Sequence, residues 1–148
     1  MTEHEIRKIF EEVSFVEKRV EVRKMTEQEC IDISTRLREG LVELAKVMPF
    51  VDKDDVVRIE SCRLMEEIAH IVYAYGGGIQ TPLKLGLLAD RLRKPVSMLC
   101  SLLEPLPICK ANQDAYALVC AVNNIIEKDI LNEDNEVTTN DELFDAPY

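Results

Sequence analysis

Tryptophan is absent from this chain of 148 residues, and aromatic side chains make up only 5% of it. A core without large rings has to be built from Leu, Ile and Val. Long apolar runs are also missing, and none approaches the roughly 20 residues that a membrane-spanning helix needs. The first residues, Met1 to Arg7, are charged and hold no apolar stretch of the kind that directs secretion, so a cytoplasmic location is expected. No Cys-x-x-Cys pair offers a zinc site, no Gly-Lys-Ser/Thr closes a phosphate loop, and the only histidines are His4 and His70. These gaps argue against a catalytic centre, a bound metal or a cofactor. The expectation is a protein that is not an enzyme.

What the chain does have is ordinary for a globular protein: 47% hydrophobic and 31% charged residues, with a formal net charge of −10. Its length suits one domain that buries roughly 70% of the surface of its unfolded chain. The five cysteines, Cys30, Cys62, Cys100, Cys109 and Cys120, are odd in number and widely spaced on apolar faces. That pattern predicts buried reduced thiols rather than a disulfide framework.

Periodicity makes the first half helical. Ile6, Phe10, Val13, Val16 and Val20 recur every three or four residues and line one face. Thr26 and Glu29 form a capping box ahead of a seam of Cys30, Ile33, Leu37, Leu41, Leu44 and Met48, which Pro49 is placed to stop. Asp52 is the expected N-cap of a third helix, with Asp54 and Asp55 in its first turn. The apolar residues of that helix, from Val56 to Tyr75, spread over a broad surface that predicts a central helix or one buried against a partner. Gly76-Gly77-Gly78 ends it, because three glycines lose too much backbone entropy to remain helical.

Residues 79–120 follow a different order of signals. Ile79-Gln80-Thr81 reads as a short strand, Thr81 and Pro82 open a helix bearing Leu83, Leu87, Leu88 and Leu92, and Pro95 opens another with Val96, Leu99, Leu102 and Leu103 inward. Leu106 to Val119 then suits a two-stranded wing around Asn112-Gln113-Asp114. This third of the chain resembles the winged helix-turn-helix superfamily, although Arg93-Lys94 stands where that superfamily's turn usually has a glycine and an apolar residue. The resemblance implies nucleic-acid binding. An equally economical reading makes Asn112 an N-cap and Gln113–Leu131 a single helix. The fold expected is thus mainly all-α, a bundle of about five or six helices with or without a small β wing near 106–119. One helical domain spans 1–131, with a three-helix part over 1–75 and a helix-turn-helix-like part over 79–120.

Charge singles out two surfaces. Lys84, Arg91, Arg93, Lys94 and Lys110 outnumber Asp90 and Glu104 over residues 79–111, a net +3 in an acidic chain. They are candidate contacts for nucleic acid or a partner. The helix that would read bases, however, offers only Ser97, Met98 and Ser101 outward, with no side chain for bidentate pairing. Residues 132–148 form an acidic tail expected to be disordered, in which Leu143 and Phe144 are candidate docking residues. Glu67-Ile68-Ala69-His70 has a di-iron spacing, with Glu60 ahead of it, yet the second Glu-x-x-His such a site needs is missing. Taken together, these features point first to a helical protein–protein interaction module, a small regulatory or assembly subunit that forms a homodimer. A winged-helix DNA-binding regulator comes second, and no membrane association is expected.

Overall fold

The computed structural model describes Val22 and residues 24–131, and within them the chain is mainly helical with no strand. Four α-helices follow in order: α1 (Glu27–Val47), α2 (Asp55–Tyr75), α3 (Pro82–Leu103) and α4 (Lys110–Asn124). A 3-10 turn, Met48–Phe50, closes α1, and a π-helical turn, Ile125–Ile130, prolongs α4. The apolar seam at 6–20 and the acidic tail at 132–148 lie outside the described residues.

Local chemistry accounts for most helix ends. The Thr26 hydroxyl accepts from the Glu29 amide at 3.1 Å while the Thr26 amide donates to the Glu29 carboxylate at 3.3 Å, the reciprocal box the sequence spells out. Thr81 caps α3 in the same way by accepting from Lys84 N at 3.2 Å, with Pro82 in the first turn. Gly76 terminates α2, where a Cβ would meet the Val72 carbonyl oxygen at 2.7 Å. Gly78 carries the loop through a left-handed φ of 72° that side chains disfavour.

Three boundaries differ from expectation. Asp54, not Asp52, caps α2, accepting from Val57 N at 2.9 Å. The reason is tertiary. Asp52 gives its amide to Asn112 Oδ1 at 2.7 Å, and its carbonyl accepts from Asn112 Nδ2 at 3.0 Å. Residues 79–81 form a loop instead of a strand, and buried Gln80 donates to the Gly77 carbonyl at 3.2 Å. Cys109 is the N-cap of α4, so Asn112 lies inside the first turn, where it also donates to the Pro107 carbonyl at 2.8 Å. One amide side chain thereby ties the α1–α2 link to the α3–α4 link.

The larger correction concerns α3. It runs without a break from Pro82 to Leu103, through Arg93, Lys94 and Pro95. Residues 110–124 are helical too, so neither a helix-turn-helix turn at 93–94 nor a wing over 106–119 is present among the described residues. The alternative of a long final helix is nearer the observed course, although that helix starts earlier and ends in a π turn.

α3 is the hub of the bundle. It packs on α2 along one side and on α4 and the π turn along another, while α1 leans mainly on α4. Glu60 and Leu64 lie beside Ser97 to Leu102, whereas Tyr75 reaches Arg91, so α2 and α3 run antiparallel. Leu37, Leu44, Leu64, Leu88, Leu92, Leu99 and Ile126 are fully buried, with Ile33, Leu41 and Ile68 close behind. Leu102, expected to face inward, is only partly buried against it, as is Ile71. α1 and α4 approach closely at Gly40, where a Cβ would fall 2.9 Å from Val122 Cγ2.

Candidate interaction surface

α2 has one covered side. Of its 21 residues only Ser61, Leu64 and Ile68 are buried. α3, of similar length, buries nine, including Leu85, Leu88, Leu92 and Leu99. On the other side of α2, Val56 is 76% exposed, Ile59 61% and Tyr73 89%. The breadth of apolar surface read from the sequence is real, but α2 is peripheral and not central. Among the described elements α3 is its main neighbour. β-Branched and aromatic side chains left in water on a helix with so small a footprint suit a partner surface better than a solvated face.

A groove of about 320 Å³ lies beside this face, lined by Glu60, Leu64, Ser97, Met98, Ser101 and Leu102. Ser97, Met98 and Ser101 are the residues that looked unsuited to reading bases. Here they form one wall of an apolar cleft between α2 and α3. Their signal in the sequence was their lack of hydrogen-bonding reach, but only the fold supplies the opposite wall. Polar residues punctuate α2 at the edge of the groove and beyond it. Arg63 bonds Glu60 through Nε at 2.8 Å and pairs with Glu67 at 3.6 Å. These carboxylates hold the Arg63 guanidinium more firmly protonated than usual, with the Glu60 hydrogen bond the largest cause. Glu67 and His70 are exposed on this helix. No group of three His, Cys, Asp or Glu residues among the described ones is placed to hold a metal ion.

The five basic candidates do not form one patch. Lys84, Arg91, Arg93, Lys94 and Lys110 are all exposed. At about 100° per residue, Lys84, Arg91 and Lys94 share a side of α3, while Arg93 is turned away from them towards the α4 side. Arg91 stacks over the Tyr75 ring at 5.6 Å from its centroid, which anchors it at the α2 edge. Lys110 begins α4 at the far end of the bundle and pairs with Asp114 at 3.9 Å. Leu143 and Phe144 lie outside the described residues.

The cysteines correct another expectation. None of the five is joined in a disulfide, and only Cys30 is buried; Cys62 is exposed and Cys100, Cys109 and Cys120 are half-buried. Burial and the neighbouring Cys120 push the Cys100 thiol up to about 12. Tyr116, whose hydroxyl bonds to Cys120, is shifted upward as well. A second cleft, of about 460 Å³, lies at the surface beside the α1–α4 contact and is edged by Glu39, Glu43 and the Arg36–Asp129 ion pair at 2.9 Å. No helix among the described residues is long and apolar enough to cross a membrane.

No family model, no curated protein and no solved structure matches the chain.

Proposed function

We propose that the protein is a cytoplasmic, non-enzymatic interaction module, a small regulatory or assembly subunit that presents the outer face of α2 and the adjoining α2–α3 groove to another protein. The observation that carries this reading is the contrast within α2: three buried residues on one side, and Val56, Ile59 and Tyr73 in water on the other. The net charge of −10 favours a partner with a basic rim around an apolar centre. Two copies associate through the N-terminal half, where the chain carries more apolar helix surface than a small bundle hides.

A second reading, a DNA-binding regulator, draws on Lys84, Arg91 and Lys94 along one side of α3. It is the weaker of the two, because the segment assigned to base reading lies within one continuous helix and bears no side chain for a base edge.

Two charge-reversal variants separate these readings: Val56→Glu with Ile59→Glu, and Arg91→Glu with Arg93→Glu and Lys94→Glu. The first should leave circular dichroism unchanged while abolishing partner capture from native extract and shifting the light-scattering mass to that of a monomer. The second should do neither. Tight binding of wild type to a defined duplex at physiological salt, lost in the second variant alone, would replace the interaction reading with the DNA-binding one.

A further inference from the structure

The first half of α3 carries a strip that is both apolar and basic. At about 100° per residue, Leu83, Leu87, Arg91 and Lys94 fall within about 80° of one another, with Lys84 beside them. Leu83 is 44% exposed and Leu87 half-buried, while Lys84, Arg91 and Lys94 all reach solvent. The Tyr75 ring, at the end of α2, steadies Arg91 from 5.6 Å. Asp90 is the only acid in α3. In a chain of net charge −10, such a strip attracts the chain's own carboxylates.

We propose that the acidic segment 132–148 docks on this strip within the same copy. Leu143 and Phe144 seat against Leu83 and Leu87, while Asp141, Glu142 and Asp145 pair with Lys84, Arg91 and Lys94. The chemistry is complementary. The segment holds six acids and no base, and its Leu143–Phe144 pair lies between acids, as the two leucines of α3 lie between cations. The point of departure also suits. Residues 104–109 alone join α3 to α4, and the two helices pack on each other, so α4 returns antiparallel. The π turn that prolongs α4 rests on α3 and α1, so buried Leu131 releases the chain beside the start of α3. From Leu131 to Leu143 the backbone can reach up to about 40 Å. That exceeds the length of α3, roughly 33 Å. Exposed ion pairs are weak singly, so the apolar pair and the tether are both needed. Attachment to the same chain supplies an effective concentration on the order of millimolar. The docked segment shields Lys84, Arg91 and Lys94 from external polyanions and leaves the outer face of α2 free.

Carbodiimide coupling tests this, because it joins a lysine amine to a carboxylate only where the two are already in contact. It is applied to an equal mixture of light and isotopically heavy full chain at physiological salt, followed by peptide mapping. The expected products are amides from Lys84 and Lys94 to Asp141, Glu142 or Asp145, formed within one copy. The Lys46–Glu43 and Lys110–Asp114 pairs, at 3.1 Å and 3.9 Å, serve as internal standards. Leu143→Ser with Phe144→Ser keeps every charge and should lower the tail amides several-fold against those standards. Four results would overturn the proposal: no tail amide at all, tail amides formed as often to Lys46 or Lys53 as to Lys84, amides joining light to heavy copies, or amides undiminished in the double-serine variant.

Discussion

At the scale of single residues, polar side chains decide positions that apolar pattern leaves open. Asn112, 4% exposed, satisfies both the amide and the carbonyl of Asp52 and the carbonyl of Pro107. Asn112→Ala would strand those backbone groups, and the expected loss is roughly 3 kcal/mol in urea unfolding, since each unsatisfied buried group costs about 1–3 kcal/mol. Cys100 makes a pH prediction. Its folded value is raised from 9.0 to about 12, chiefly by burial and then by Cys120. The folded state therefore holds the proton more tightly than the unfolded chain. The stabilisation is fully present below pH 9 and is lost as pH climbs from 9 towards 12. Chemical denaturation across that window should show a shallower decline for Cys100→Ser than for wild type. Equal slopes would assign the alkaline loss to other groups.

At the scale of elements, α3 shows burial outweighing propensity. An interior proline removes the hydrogen bond to the Arg91 carbonyl and costs about 3 kcal/mol. Yet Leu88, Leu92, Val96 and Leu99 lie on one buried strip spanning Pro95, and fully burying each such side chain contributes roughly 1.5–3 kcal/mol. Several of these together exceed the proline penalty, so the helix continues where the sequence alone suggests a fresh start. The α1–α4 contact is set by the opposite device, a missing side chain. Gly40→Val would drive branched carbons into Val122, whose nearest methyl is 2.9 Å from an added Cβ. The expected cost is about 2 kcal/mol, in the range for overpacking, and thermal unfolding monitored by circular dichroism would measure it. A neutral or stabilising result would mean that the two helices move apart easily.

At the scale of the whole molecule, the two sides of α2 should behave differently. Leu64 is fully buried against α3, so Leu64→Ala is expected to lose about 3 kcal/mol of stability. Ile59 is 61% exposed, and Ile59→Ala should stay within about 0.5 kcal/mol in the monomer. Its effect should appear instead in association, as weaker self-assembly by sedimentation. A large loss of monomer stability from Ile59→Ala would place that side chain inside the fold and remove the basis for an interaction face. The basic residues invite no comparable prediction as a unit. They are spread over α3 and the start of α4, with Lys110 paired to Asp114 and Arg91 stacked over Tyr75.

Much of this arrangement follows from local chemistry that a sequence displays directly. The Thr26–Glu29 box, the Thr81–Pro82 start, the stop at Gly76 and the α1 seam from Cys30 to Met48 each depend on groups within a few residues of one another. Such interactions form wherever those residues occur together, so they were legible and the structure contains them. Contacts between residues distant in the chain decided the rest. Asn112, 60 positions away, occupies the backbone of Asp52 and moves the cap of α2 to Asp54. Burial on both flanks carries α3 through Pro95, and with it the wall of the α2–α3 groove. Periodicity marks Val56, Ile59 and Leu64 alike as apolar. Whether such a side chain is core or surface depends on what stands opposite it, and only the packing of α2 on α3 determines that Leu64 is covered while Val56 and Ile59 are left in water.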